Sequence, residues 1–243
     1  MKFETAYFSR PGTRENNEDY GAFMYKHRHF GVWAVADGLG GHSKGEVAAK
    51  TAVEETVSAF SIKPDISREN ITDIISRANR AVWCAQGEEH GYESMKTTLS
   101  AIFMRKGYAI VAHAGDSRVY IFRKNRVVFQ TRDHTLCQIQ MENGTLPEED
   151  VRFSENRNQL LCALGSFSEL NGEVAPAPVK LRRGDAILLC TDGFWERVFE
   201  QRMEDTLSIC KTPERWLELM RMHIEKENGV KQDNYTAMAV FVR

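Results

Sequence analysis

Nothing in this sequence is arranged for crossing a bilayer or for covalent crosslinking. No stretch is apolar enough to span a membrane, and Met1 to Arg10 carry scattered charges where a signal peptide needs an apolar core. A soluble, cytoplasmic chain is expected. The five cysteines, Cys84, Cys137, Cys162, Cys190 and Cys210, are odd in number, widely spaced and form no C-x-x-C pair. This speaks against a disulfide framework and a zinc–thiolate site, and leaves reduced core residues. Charge of one sign is lacking too: 32 Lys and Arg face 34 Asp and Glu, for a formal net charge of −2. Such a balance offers no general hold on nucleic acid or an anionic membrane, which both select clustered cations. With no fixed-period repeat, low-complexity tract or long linker, the 243 residues are read as one domain.

What is present is a set of short apolar runs separated by polar, glycine-containing turns. Phe3 to Ser9, Tyr20 to Tyr25 and Phe30 to Ala36 read as strands. Ser43-Lys-Gly-Glu46 has the form of a capping box, and Val47, Ala48, Thr51, Ala52, Thr56, Ala59 and Phe60 supply a helical face behind it. Ile71, Ile74, Ile75, Ala78 and Val82 repeat at helical spacing, predicting a second helix to about Glu89. Thr97 to Met104, Tyr108 to Ala114, Val119 to Phe122 and Val127 to Gln130 suit an antiparallel meander. A mixed stretch at about 135–170, with a short helix at Leu136 to Glu142, reads as a lid-like insertion. Strands are then expected at Glu173 to Leu181, Ala186 to Cys190 and Tyr235 to Val242, with a helix opened by Thr212-Pro213-Glu214. Helices and strands fall in separate blocks, which predicts an α+β fold: a central β-sandwich of two antiparallel sheets flanked by helices.

Acids recur at the ends of these runs. Asp37 follows Phe30 to Ala36 and opens Asp37-Gly-Leu-Gly-Gly-His42; Asp192 follows Ala186-Ile-Leu-Leu-Cys-Thr191; Glu18, Asp19 and Asp233 flank two further strands. Hard divalent cations take oxygen ligands, so a few carboxylates and a backbone carbonyl make a site. Glu18 is expected to ligate directly. Its neighbour Asp19, pointing to the other strand face, is expected to act through Glu18's surroundings or a water. Glycine after Asp37 would let the Gly38 carbonyl reach one ion while Asp37 bridges two. Two ions about 3.5–4 Å apart deprotonate a shared water and aim it at phosphorus, so no Ser or Cys nucleophile is required.

In order along the chain stand Arg14-Glu-Asn-Asn-Glu18-Asp19, Val35-Ala-Asp37-Gly-Leu-Gly-Gly-His42, Thr97-Thr-Leu, Gly115-Asp116-Ser-Arg118, Thr191-Asp192-Gly193 and Asp233-Asn234. Together they resemble the metal-dependent protein phosphatases of type 2C, in the bacterial form, from about Ser9 to Val242. The resemblance implies that fold's β-sandwich and hydrolysis of phosphoserine and phosphothreonine in proteins. It implies two Mn²⁺ or Mg²⁺ ions, one on Asp37, Asp192 and Asp233, the other on Glu18, Asp37 and the Gly38 carbonyl. Asp116 with Asp192 would hold a weaker third ion, and Arg14 would grip the phosphate. The implied partner is a phosphorylated protein, a Ser/Thr kinase or its target.

This chain also departs from the pattern. Leu39 stands where many eukaryotic members carry a histidine proposed as general acid, leaving His42 or water to protonate the leaving group. Lys96 precedes the two threonines where glycine is usual, and the 135–170 stretch has a polar character of its own. Arg118 is read as structural, pairing with an acid, and Trp195 as packing beneath the metal turn. A non-catalytic phosphoprotein-binding module and another metal-dependent phosphohydrolase stay open as alternative readings.

Overall fold

Phe30–Leu39 forms a ten-residue strand whose apolar side chains alternate between two different cores. Val32, Ala34 and Ala36 face helices, while Trp33 and Val35 face a second sheet. A strand covered on both sides loses the polar–apolar alternation of a surface strand and reads as one unbroken apolar run. The computed structural model describes residues 1–26, 29–40, 44–86, 95–166, 172–226 and 231–243.

In chain order the strands are β1 (Phe3–Arg10), β2 (Asp19–Lys26), β3 (Phe30–Leu39), β4 (Lys96–Thr97), β5 (Leu99–Arg105), β6 (Tyr108–Ala114), β7 (Arg118–Arg123), β8 (Arg126–Gln130), β9 (Glu173–Val174), β10 (Val179–Lys180), β11 (Ala186–Cys190) and β12 (Tyr235–Val242). The helices are α1 (Lys44–Ile62), α2 (Arg68–Ala85), α3 (Leu136–Glu142), α4 (Asp192–Trp195), α5 (Glu200–Ile209) and α6 (Pro213–Glu225), with a 3₁₀ helix at Glu148–Phe153. One sheet runs β1-β12-β11-β7-β8 and the other β10-β6-β5-β3-β2, with β4 on the end of β3 and β9 on β6. Every pairing is antiparallel.

Three apolar layers result. Between the sheets, Trp33, Val35 and Ile102 meet Ile121, Ile187, Leu189 and Val240. On one outer face α1 and α2 lay Ala52, Phe60, Ile71 and Ile75 against Val32, Ala34, Ala101 and Phe103. On the other, Phe194, Met203, Trp216 and Met220 cover Tyr120, Phe122, Leu188 and Ala239. The small residues at Ala48, Ala49 and Ala52, all fully buried, let α1 lie close to its sheet.

Several boundaries differ from the sequence reading. The strand at Phe30 continues through Asp37 to Leu39, because β4 pairs Gly38 with Thr97 and Leu39 with Lys96. The expected meander is divided: β5 pairs with β6 in one sheet and β7 with β8 in the other, so the chain changes sheets at Gly115-Asp116-Ser117. Glu173 to Leu181 is two short strands, since Pro176 and Pro178 interrupt it and lack the N–H a ladder needs. Helix α5 has no counterpart in the sequence reading. Only Cys137 and Cys190 among the cysteines are buried, and Cys84 is exposed. The second helix ends at Ala85, whereas Ser43 and Glu89 lie outside the described residues.

The inter-sheet layer sets a stability expectation. Ile187 is fully buried there, so Ile187→Ala should cost roughly 2–5 kcal/mol in urea unfolding at neutral pH. A loss under about 1 kcal/mol would show that the layer collapses around the void or is not packed as described.

Candidate metal centre and active site

The acids singled out from the sequence come to one end of the sandwich, and each is held there by residues from a distant part of the chain. Asp37 sits in β3 opposite Asp19 in β2. Its N–H donates to Thr98 Oγ1 at 2.8 Å, and its carbonyl accepts from Thr97 Oγ1 at 2.8 Å and Thr98 N at 2.9 Å. The two threonines, quoted above without a role, therefore fix the Asp37 peptide. Gly38 N–H donates to the Glu18 carbonyl at 3.1 Å. A Cβ at Gly38 would stand 2.0 Å from the Gly45 carbonyl oxygen, so only glycine lets the start of α1 close on this turn. From there the Gly45 N–H reaches the Glu18 carboxylate.

Asp192 opens α4, with Gly193 N–H donating to its Oδ1 at 2.6 Å. Asp233 precedes β12, and Asn234 N–H donates to its Oδ1 at 2.9 Å. Asn234 joins the two ends of the chain: its Oδ1 accepts from Glu18 N–H at 2.8 Å, and its Nδ2 donates to the carbonyls of Pro11 at 3.0 Å and Asn16 at 2.9 Å. Thr13 Oγ1 adds a bond to the Gln232 carbonyl at 2.9 Å. The polar loop 11–17 is thereby stitched beside Asp233. Asp116 lies in the passage from β6 to β7, where Gly115 takes a positive φ of 96° and Trp195 Nε1–H donates to the Asp116 carbonyl at 2.9 Å.

Arg14, Glu18, Asp37, Gly38, Asp116, Asp192 and Asp233 line one cleft of 490 Å³, together with Glu15, Asn16, Asn158, Leu160 and Asn234. Asn158 and Leu160 come from the 135–166 stretch and had carried no role in the sequence reading. Arg14 is the one cation of this lining among the described residues. Its Nη2 donates to Asp233 Oδ2 at 2.7 Å, and that bond raises its pKa further. Asp19 lies deeper. Its Oδ2 accepts from Thr191 Oγ1 at 2.8 Å, and its Oδ1 is buried without a hydrogen-bond partner.

Burial and neighbouring acids shift Glu18, Asp19, Asp37, Asp116 and Asp192 upward. Burial lifts Asp19 to about 8 against the pull of the Thr236 and Thr191 hydroxyls, with Asp192 and Asp233 adding to the rise. It lifts Asp192 to about 7, reinforced by Glu196 and Asp233, while Asp192 also shares a hydrogen bond with Asp37. Asp37 and Asp116 are pushed well above the usual carboxylate range, first by burial and next by Asp192. Glu18 is raised by burial.

Such a cluster suits divalent cations. Every donor is oxygen, an orphaned carboxylate oxygen lies buried at its back, and among the described residues Arg14 is the one counter-charge in the cleft lining. The one trio of His, Cys, Asp or Glu side chains among the described residues with a ligand atom each within 4.8 Å lies elsewhere, at His113, His134 and Glu173. Asp37, Asp192 and Asp233 thus surround the cleft without converging that closely, and Asp233 is turned to Arg14. His42, the sequence's candidate for proton donation, lies outside the described residues. Arg118 donates to Asp133 through Nε at 2.9 Å and Nη2 at 2.7 Å, a buried structural pair.

Residues 12–226 match the family described as Protein phosphatase 2C. The chain belongs to that family. It is 32% identical over 238 residues to the serine/threonine phosphatase stp of Listeria welshimeri, covering 93% of this chain and 90% of that protein. Its fold superposes on the serine/threonine phosphatase PstP/Ppp of Mycobacterium tuberculosis with a TM-score of 0.86 at 26% identity, over 100% of both chains. A crystal structure of the PstP catalytic domain in complex with two manganese ions gives a TM-score of 0.83 at 26% identity, over 99% of each chain. The two sheets flanked by helices are the fold of this family, as the sequence resemblance implied.

The raised acids set the sign of a pH effect. A carboxyl whose folded pKa exceeds its unfolded one makes the ion-free fold lose stability as pH rises from the unfolded value through the folded one. Asp19→Asn keeps an oxygen for Thr191 and removes the charge. In excess chelator the variant should gain on the wild type from about pH 4 to pH 8, by up to ~1.4 kcal/mol per pH unit. Manganese should raise the wild-type melting temperature most at the alkaline end of that range. Melting curves with the wild type gaining on the variant as pH rises would contradict the assignment.

Proposed function

We infer that this protein is a metal-dependent phosphatase that hydrolyses phosphoserine and phosphothreonine in proteins and opposes a bacterial Ser/Thr kinase. The observation that carries this reading is one open cleft in which Glu18, Asp37, Asp116, Asp192 and Asp233 surround a single guanidinium, Arg14. Carboxylates repel a phosphate unless cations stand between them. Membership of the phosphatase family and likeness to a manganese-bound relative support that requirement.

In this reading Asp37, Asp192 and Asp233 hold one Mn²⁺ or Mg²⁺, and Glu18, Asp37 and the Gly38 carbonyl hold another. Asp116 with Asp192 holds a weaker third, and Asp19 braces the set from behind through Thr191. Divalent cations bound there lower the pKa of water and neutralise phosphate charge. The chain's own residues do the remaining work. Arg14 presents a planar fork that matches two phosphate oxygens. Its present partner Asp233 holds it at the cleft mouth, and a phosphate competes for the same fork. Residues 1–243 act as one catalytic domain, in which the stretch at about 135–170 is a flap that brings Asn158 and Leu160 to the cleft. A duplex or single-stranded nucleic acid would require a row of cations along its backbone, and this cleft supplies one.

Purified protein should release phosphate from a phosphothreonine peptide with added Mn²⁺ and not in excess chelator, and Asp192→Ala should reduce release to background. Turnover undiminished by chelator, or uptake of the phosphoprotein with no turnover at any metal concentration, would end this reading. Arg14→Ala removes a charge-assisted pair and should lower kcat/KM about 10- to 100-fold, chiefly through KM. Steady-state kinetics at saturating Mn²⁺ check it, and an unchanged KM would take Arg14 out of phosphate binding.

A further inference from the structure

The cleft gathers acids at one end of the sandwich, and the other end gathers cations. There Lys106 and Gly107 join β5 to β6 in one sheet, Lys124 and Asn125 join β7 to β8 in the other, and Arg182-Arg183-Gly184 leads toward β11. Lys26, opposite Phe30, lies at the same edge. These tips are stitched together. Lys106 N–H donates to the His29 carbonyl at 3.3 Å, Leu181 N–H to that of Gly107 at 2.9 Å, and Gly184 N–H to that of Val242 at 2.8 Å. Arg123 crosses between the sheets, giving Nη2 to the Lys180 carbonyl at 3.1 Å and its fork to Asp185 at 2.7 and 2.9 Å. Glu4, Asp65 and Glu204 are likewise taken, by Arg243, Arg105 and Arg126. Lys26, Lys106, Lys124, Lys180, Arg182 and Arg183 are exposed and form no ion pair among the described residues.

The near-neutral net charge hides this segregation. Along β3 the distance from Phe30 to Asp37 is roughly 23 Å at about 3.3 Å per residue, whereas physiological salt screens charges over about 8 Å. The two ends therefore present separate fields. Both hairpin lysines also adopt a conformation that lysine disfavours: φ is 50° at Lys106, and 52° and 61° at Lys124 and Asn125. Such two-residue turns favour Asn, Asp or Gly, because at positive φ a longer side chain's Cβ crowds the backbone. A rule broken twice at one end, with no ion pair in the fold to offset it, points to a use outside the chain.

We propose that this end docks on an anionic lipid surface, with the cleft at the far end facing away from it. The tips belong to both sheets, which lie about 10 Å apart. A plane of headgroups meets all of them at once, whereas an extended acidic peptide follows one row. Tyr25, Tyr108 and Val179, 41%, 43% and 38% exposed, stand among the lysines and suit a headgroup layer, where amphipathic rings and lysine stems find apolar and polar surroundings together. Docking needs no catalysis at the cleft, so it stands or falls apart from the phosphatase reading.

Sedimentation of the full-length protein with vesicles in excess chelator tests this, the chelator keeping cations from bridging the acidic cleft to lipid. The protein should sediment with vesicles containing phosphatidylglycerol and not with phosphatidylcholine alone, and the association should fall at least about tenfold between about 0.05 M and 0.5 M KCl as the screening length shortens. Lys106→Asn with Lys124→Asn removes two charges and supplies residues suited to the turns. The pair should weaken vesicle binding about 10- to 30-fold, while its melting temperature stays at or above that of the wild type. Arg182→Gln with Arg183→Gln should weaken binding to a similar extent, and Lys50→Gln with Arg80→Gln, exposed on α1 and α2, should leave it within about twofold of wild type. Equal loss in the helix control, no preference for the anionic lipid, or capture of an oligonucleotide or polyglutamate by a protein that ignores the vesicles would each overturn the proposal.

Discussion

Buried carboxylates repel one another, and the whole end of this sandwich is organised around keeping several of them together regardless. Asp19, Asp37, Asp116 and Asp192 each have their proton affinity raised by burial, with neighbouring acids adding to the rise. Left to themselves, side chains so placed would swing to solvent or keep their protons. Hydrogen bonds to the backbone at and around these acids work against the first option. Thr97 and Thr98 hold Asp37, Asn234 holds Glu18 and the loop before it, and Trp195 holds Asp116. A cluster kept intact against its own repulsion is a site prepared for counter-charge, which divalent cations supply.

The restraints come from far apart in the chain because of the topology. β1 and β12 pair along their whole length, so the loop after β1 lies beside the residues before β12. β2 and β3 bring Asp19 opposite Asp37, and the switch from β6 to β7 carries Asp116 across from one sheet to the other. Each acid therefore sits where a strand ends or the chain changes sheets, and the strands behind it belong to a core that needs no acid. Trp33, Ile102, Ile187 and Val240 pack between the sheets without reference to the cleft.

That separation explains what could be read in advance. Asp37 and Asp192 were legible because a carboxylate beside glycine at the end of an apolar run breaks pattern twice over, Glu18, Asp19 and Asp233 because they flank strands, and Ala186–Cys190, Leu136–Glu142 and Tyr235–Val242 were placed correctly from apolar runs and spacing. The strand at Phe30 was read too short, since the pairing of Gly38 with Thr97 depends on a distant two-residue strand that no local pattern announces. The divided meander was missed because a hairpin turn and a crossing between sheets look alike as Gly-Asp. Helix α5 escaped because its buried face is only Met203, Thr206 and Leu207. The supporting roles of Thr97, Thr98 and Asn234 were hidden for a simpler reason: hydroxyls and amides are common on surfaces, and only their partners reveal their work.

His113 and His134 illustrate the same limit from the other side. Twenty-one positions apart, they show no ligand spacing, yet the pairing of β6 with β9 sets His113 opposite Glu173 and the flap root lays His134 over His113. Proximity alone would suggest a metal site, whereas the rings stack nearly parallel and one nitrogen of each is already taken, by the Arg132 carbonyl and the Gly115 N–H. Stability in the core layers and strain among the acids are set by different residues. A chain built this way can alter the flap while leaving both the sandwich and the carboxylates untouched, and the polar 135–166 stretch is where such change is cheapest in structural terms.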